Sequence, residues 1–392
     1  MTAPATPADP QTTTRTGGPS APVDDLTITR VEAIPFAIPY TKPLRFASGE
    51  VRTADHVLVR VHTAAGVVGQ AEAPPRPFTY GETQASIVAV VEQLFGPALE
   101  GTSVLDRELH RARLHRTIAN PTAKAALDMA AWDAAGQLLG QPVHRLLGGY
   151  AESVRVSHML GFDDPQVMVQ EAARMLETHG ITTFKVKVGR RPYQLDVAVV
   201  RALREAFGDQ VELYVDGNRG WTASESARAL AEMADLGLTL AEELNPADDV
   251  LGRRWLVQQC PVPFVADESA TRPAEVTREI LGGSATAVSI KTARTGFSES
   301  QRVLHLAEGL GVEVVVGNQI DGQVGTLASV VFAAAHASTS TRAAELSNFL
   351  DMSDDLLVEP LTITGGRMAA PTAPGLGLHV DPDKLARYRQ DA

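Results

Sequence analysis

From about residue 150 onward, short apolar strands alternate with amphipathic helices at a nearly fixed interval, and this rhythm constrains the fold more than any other feature of the 392-residue chain. The strand-like segments read VRVSHML, TTFKVKV, VELYVDG, LTLAEEL, PFVADES, AVSIKTA, VEVVVGN and AAELSNF. From the second segment onward they end in Lys187, Asp216, Glu242, Asp267, Lys291, Asn318 and Glu345, with 24 to 29 residues between successive ends. One strand, one helix and two short loops consume that many residues, so the spacing predicts parallel strands joined by crossover helices. Eight evenly spaced parallel strands close into a barrel more readily than they stay open, although an open doubly wound sheet is the alternative. In a closed barrel the C-terminal strand ends form the active-site face, which would bring these seven polar residues together.

The helices between the strands are well marked. PYQLDVAVVRALREAF opens with Pro192 and lines up Leu195, Val199 and Leu203 on one face. TASESARALAEMADLG carries a capping box from Thr222 to Glu225 and stops at Gly237. Upstream the pattern differs: strand-like runs with a hairpin loop at TAAG, then helical stretches that include one from Pro121 to Gly140. The expected fold is therefore α/β, a (β/α)7β TIM-like barrel over residues 150–360 with an N-terminal α+β capping domain over 26–149. Residues 361–392 break the rhythm and are expected to leave the barrel and complete the cap. Residues 1–25, rich in Thr, Pro and Ala without an apolar core segment, read as a disordered tail and not as a signal peptide.

Composition excludes several functions. A net charge of −12 argues against a general nucleic-acid binder, which needs a basic surface, but leaves room for a locally basic pocket and a small anionic substrate. The single cysteine, Cys260, allows no intrachain disulfide and no thiolate metal site, and suits a reducing cytoplasm. The longest apolar stretch, near LASVVFAAAHAS, is shorter than the roughly 20 residues that span a bilayer, so a soluble intracellular protein without membrane partners is expected.

If the barrel closes, Asp216, Glu242 and Asp267 stand on three consecutive strands at one rim. Three neighbouring carboxylates cannot all stay ionised without a cation, and an all-oxygen set points to a hard ion, Mg²⁺ or Mn²⁺. For any one acidic strand end a helix cap or a solvated loop is the plainer reading. Three in succession, flanked by lysines, are harder to explain that way. FKVKVG sets Lys185 and Lys187 on the same face of one strand, and Lys291 follows on the far side of the acids. Crowded and partly buried ammonium groups are expected to have depressed pKa values that suit proton transfer. A cation at a substrate carboxylate with a lysine placed for the α-proton is the equipment of enolate chemistry.

On FKVKVG, YVDGNRGW, LAEEL, FVADES, SIKTA and AELSNF, the chain from about residue 26 to its end resembles the muconate-lactonizing subgroup of the enolase superfamily. Through IPYTKPLRFASGE, APPRPFTYGE, GNQIDGQ and ELSNFLDMSDDLL it is most similar to the anti-cycloisomerizing muconate cycloisomerases of actinobacterial type. The resemblance implies Asp216, Glu242 and Asp267 as ligands of Mg²⁺ or Mn²⁺, Lys187 as proton donor, Lys185 beside it and Lys291 opposite. It further implies Asn218 and Glu268 behind the ligands, and Asn318 and Glu345 facing the substrate. The cap loops would supply Arg45, Ser48, Phe78, Tyr80 and Gly81 over the pocket, with Arg45 equally readable as a surface residue. His158 would touch substrate or be a packed core histidine. The family pattern Glu-Glu-Pro or Glu-Gln-Pro is altered here to Glu242-Glu243-Leu244-Asn245-Pro246; the strand alignment favours Glu242 as the ligand and the proline favours Glu243.

The implied reaction is cycloisomerisation of the dicarboxylate cis,cis-muconate to muconolactone without an organic cofactor, by a protein that assembles as a homo-oligomer. Within the same superfamily, dipeptide or N-acylamino acid epimerases and o-succinylbenzoate synthases are the rivals. The Asp-x-Asp of dipeptide epimerases is missing from AAELSNF. A metal-free Schiff-base aldolase would leave the three carboxylates without a purpose, and a catalytically silent barrel would be indifferent to loss of Lys187.

Overall fold

The computed structural model describes residues 24–46 and 49–391. Most of the expected N-terminal tail, up to residue 23, and Ser48 lie outside the described residues. The cap opens with two long antiparallel strands, β1 (Ile28–Phe46) and β2 (Gly49–Thr63), followed by β3 (Val68–Ala73) on the other side of β2. Alternate residues such as Val57, Val59 and Val61 are fully buried. The alanine-rich helix Pro121–Leu138 lies on this sheet, starting at the expected proline. Its small side chains permit close approach. A Cβ built on Gly69 of β3 would fall 2.0 Å from the Ala130 carbonyl oxygen, so the contact admits only glycine there.

The barrel consists of eight parallel strands: β4 (Ser153–Leu160), β5 (Thr183–Lys187), β6 (Glu212–Asp216), β7 (Leu238–Glu242), β8 (Phe264–Ala266), β9 (Ala287–Ile290), β10 (Glu313–Val316) and β11 (Ala344–Glu345). Backbone ladders join them in the order β10-β9-β8-β7-β6-β5-β4-β11, which leaves one seam between β10 and β11. There Arg342, just before β11, pairs with Glu313 on β10 and reaches Glu212 on β6 at 3.2 Å. Seven helices fill the seven gaps between strands, from Pro165–His179 to Gln323–Ala335. The fold is thus a nearly closed (β/α)7β barrel with an antiparallel N-terminal sheet.

Strand alternation sorts the side chains. Phe184 and Val186 of β5 turn outward and join the core beneath the helices. Inside the barrel Tyr214, Leu240, Val265, Ala287 and Val315 form a separate apolar layer. Lys185, one face across from Phe184, sits with its ammonium 6.0 Å from the Tyr214 ring centroid, so the polar strand ends rest directly on that layer. Beyond the barrel, β12 (Arg367–Ala369) pairs antiparallel with β4, and Leu376 donates its N–H to Asp133 of the cap helix at 2.7 Å. Gln390, after the last helix, donates to the Pro35 carbonyl of β1. Among the described residues no helix is long and apolar enough to cross a membrane.

Candidate active site

The strand register places the candidate residues in one ring. Lys187 is the register partner of Asp216, and Asp216 of Glu242; Asp267 follows β8 directly. All lie buried at the C-terminal rim. Lys185 donates to Glu242 Oε1 at 2.9 Å and to Glu345 Oε2 at 3.0 Å, and is 2.9 Å from Asp216 Oδ2. Lys187 donates to Asp216 Oδ2 at 2.6 Å and to Asn218 Oδ1 at 2.7 Å. Asn218 passes the contact on by donating to Glu268 Oε1 at 3.0 Å. Across the ring Lys291 donates to Asp267 Oδ2 at 2.6 Å, and Arg294 Nη1 to Asp267 Oδ1 at 2.7 Å. The same Arg294 nitrogen donates to the hydroxyl of Tyr80, which the cap contributes.

The electrostatics follow from this pairing. Burial favours the neutral form of every group, yet Lys185 has its pKa held well above the ordinary lysine range by Asp216, Glu242 and Glu345. Lys291 is likewise raised, burial being outweighed mainly by Asp267. The expectation of depressed lysine pKa values is therefore reversed for these two: carboxylates, not other ammonium groups, are their nearest charges. Against the penalty of burial, Lys185 and Lys187 hold Asp216 below the usual carboxylate range, and Lys291 and Arg294 do so for Asp267. Glu242 moves the other way, because burial and repulsion from Asp216 and Asp267 exceed the pull of Lys185. Glu268 is also raised, by burial and then by Asp267 and Asp216. Five carboxylates here face four cations, and Glu242 and Glu268 are the two on which the negative charge is least favoured.

A small cavity of about 30 Å³ lies above the ring, lined by Lys187, Lys291, Asn218, Glu268, Asn318 and Glu345 together with Arg76, Thr79, Tyr80, Met159, Gln319 and Ile320. Asn318 accepts the Asp321 N–H through Oδ1, while its Nδ2 and the Oε2 of Glu268 are buried without a protein partner. A larger cavity of about 680 Å³ adjoins it through Arg76, Thr79 and Ile320 and is walled by the cap segment from Gly49 to Asp55.

Of the expected residues, His158, Arg45, Phe78 and Gly81 are not brought to the inner cavity. His158 faces the other side of β4 from Met159 and is sandwiched between Glu171 Oε1 at 3.0 Å and Ser347 Oγ at 2.9 Å; strand alternation turns it to the helices. Arg45 is on the surface, paired with Glu50 at 2.8 Å. Phe78 is 82% exposed and lines only the outer cavity. Conversely, Arg294 and Arg76 escaped the sequence reading. Arg294 stood three residues after Lys291 in SIKTAR, within reach of the same strand end, whereas nothing in the sequence distinguished Arg76 from Arg45. Glu243 points away from the ring to Arg253 and Ser269, which leaves Glu242 inside.

The ring suits a divalent cation in its donor set: three buried carboxylates on adjacent strands, with oxygens only. Asp216 and Glu242 already share one cation, the Lys185 ammonium. The three do not converge on a single point, and among the described residues no group of three His, Cys, Asp or Glu does so, because Asp267 is drawn to Lys291 and Arg294.

Residues 29–148 match the mandelate racemase / muconate lactonizing enzyme N-terminal domain, and residues 167–384 match the enolase C-terminal domain-like family. Among solved structures, the muconate lactonizing enzyme from Mycobacterium smegmatis complexed with muconolactone is 67% identical with a TM-score of 0.92, covering 93% of this chain and 100% of that one. The L-Ala-D/L-Glu epimerase of Bacillus subtilis is 33% identical over 359 residues, 90% of this chain and 96% of its own length. The dipeptide epimerase from Enterococcus faecalis, solved with Mg and the dipeptide L-Leu-L-Tyr, is 28% identical with a TM-score of 0.85, covering 90% and 99% of the two chains. The chain is an isomerase or lyase, and it belongs to the enolase superfamily, whose members use a divalent metal.

Proposed function

We propose that the protein is a muconate cycloisomerase that converts cis,cis-muconate to muconolactone. The observation that carries this reading is the 67% identity, over the full length of the neighbour, to a muconate lactonizing enzyme complexed with muconolactone. Asp216, Glu242 and Asp267 would hold Mg²⁺ or Mn²⁺, which when bound draws electron density from a substrate carboxylate. The other carboxylate of the substrate adds to the double bond within the same molecule, so its effective concentration is high and no external nucleophile is needed. Lys187 then delivers its proton to the carbon α to the first carboxylate. Asp216 and Asn218, at 2.6 and 2.7 Å, hold the Lys187 ammonium toward the cavity. Lys291 would supply a fixed positive charge on the opposite wall, and Arg76 of the cap, which lines both cavities, would receive the second carboxylate. The inner cavity, about 30 Å³, is far smaller than the outer one of about 680 Å³, so substrate entry would be helped by movement of the cap segment beside it.

Epimerisation of dipeptides is the second reading, since an epimerase relative covers most of the chain and Lys187 and Lys291 both line one cavity. The eighth strand speaks against it. Two residues after Glu345, Ser347 donates to the Ser157 carbonyl and contacts His158, so no second carboxylate is present there to hold an α-ammonium. Incubation with cis,cis-muconate and Mn²⁺ should remove the diene absorbance, and EDTA should stop it. Exchange of the α-proton of dipeptides in D₂O, with the diene unchanged, would replace the first reading by the second.

A further inference from the structure

We propose that Glu243 is a positioning residue that locks Glu242 and Asp267 in place as ligands of the divalent cation. The inference rests on the metal-site reading above and extends it to a group outside the ring. Glu243 is one of five non-glycine residues with a positive φ among the described residues, at 40°, and this local turn sends its side chain away from the barrel interior just after Glu242 points into it. Its Oε2 accepts the backbone N–H of Asp267 at 2.7 Å and the Ser269 hydroxyl at 2.9 Å. Its own N–H donates to the Val265 carbonyl at 3.1 Å, and its carbonyl accepts the Arg219 N–H at 2.7 Å. One residue is therefore bonded to the chain following β6, lies next to the ligand of β7, and holds the ligand after β8.

The brace is itself held. Arg253, fully buried, donates Nη1 to Glu243 Oε1 at 2.7 Å and to the Asn245 carbonyl at 3.3 Å, and Nη2 to Ser269 Oγ at 2.9 Å. Asn245 belongs to the Leu244-Asn245 segment that separates Glu243 from Pro246. On its far side Arg253 donates Nε to Glu279 Oε2 at 3.2 Å. Glu243, Arg253 and Ser269 thus close a buried hydrogen-bonded triangle behind two ligand strands. Removing Glu243 leaves the Asp267 N–H without its acceptor in a place water does not reach and takes from Arg253 its 2.7 Å carboxylate partner, and the strand end can satisfy the orphaned donor only by shifting. Groups that orient metal ligands in this way are worth about 10- to 100-fold in metal affinity.

The test is Mn²⁺ binding to the full-length protein without substrate, followed by calorimetry. E243A should weaken binding by about 10- to 100-fold. E279Q, which alters the other carboxylate on Arg253, should stay within about twofold of the wild type. The double variant E243Q/R253M keeps an amide oxygen for the Asp267 N–H and removes the guanidinium that would otherwise compete for it, and should regain most of the affinity lost in E243A. The inference is overturned if E243A binds Mn²⁺ as the wild type does, even with a lowered Tm, if E279Q loses as much as E243A, or if the wild type binds no Mn²⁺. Diene loss on the same wild-type sample keeps the two readings apart: Mn²⁺ binding without turnover of muconate removes the substrate and leaves the role of Glu243 standing.

Discussion

Lys187 is the residue on which the proposed chemistry turns, and its setting yields a direct prediction. Its ammonium is held by Asp216 and Asn218, and Asp216 keeps Lys185 at 2.9 Å as a second partner, so replacing Lys187 should leave the ring and the fold standing. K187A should lower kcat by about 10²- to 10⁴-fold, the usual worth of a proton-transfer group, with Mn²⁺ affinity measured by calorimetry little changed. A loss of Mn²⁺ binding of the same size would show that Lys187 supports the metal site and not the proton transfer. At this scale the sequence was informative where alternation and spacing governed direction. Lys185, Lys187, Asp216 and Glu242 all point inward as a strand periodicity of two requires. It was uninformative where direction depends on a neighbouring element: His158 is one position off the inward face, and Arg45 and Arg76 are equivalent as letters but lie on the surface and over the cavity respectively.

Elements meet across the cap and the barrel through single buried side chains, and Glu72 of β3 is the clearest. It contacts His56 of β2 and accepts the N–H groups of Gly322 at 2.9 Å and Gly325 at 2.8 Å, so a cap residue satisfies two orphan donors at the start of the barrel helix Gln323–Ala335. The loop entering that helix carries Asn318, Gln319 and Ile320 into the cavity wall. E72A should cost about 3 kcal/mol in urea unfolding, from two unsatisfied buried donors, and should raise KM for muconate. Unchanged stability would mean that these donors find other acceptors. Eight strands and their helices were readable because each carries its own period and punctuation. The brace between Glu72 and Gly322 was not, since no local pattern marks a contact 250 residues apart. The same holds for the pairing of β12 with β4, and for the helix Thr292–Gly309, where the backbone breaks at Gly296 and Asp128 of the cap accepts the N–H groups of Phe297 and Ser298.

For the molecule as a whole, acid acts through individual buried groups as well as through the net charge of −12, and two in the cap respond in opposite senses. His110, buried in the cap beside the Thr102 hydroxyl at 2.8 Å, has its pKa pushed down to about 4 by burial, with Arg107 and Arg113 adding to the effect. An unfolded histidine titrates near 6.5, so between about 6.5 and 4 the unfolded chain takes up a proton that the folded one refuses. This contribution is complete above about pH 6.5 and is lost as the pH falls toward 4, by at most about 3 kcal/mol. Asp133, which ties Gln70 and Leu376 to the cap helix, is pushed up to about 6 by burial. The folded state therefore binds the extra proton between about 3.8 and 6, and this term grows as the pH falls, again by at most about 3 kcal/mol. The two windows overlap and the slopes cancel over most of the range. Urea unfolding at pH 7 and pH 4.5 should show H110Q losing less stability on acidification than the wild type, and D133N losing more. If both variants keep the wild-type difference between the two pH values, neither group titrates differently on folding, and the opposition of buried charges in the cap is wrong.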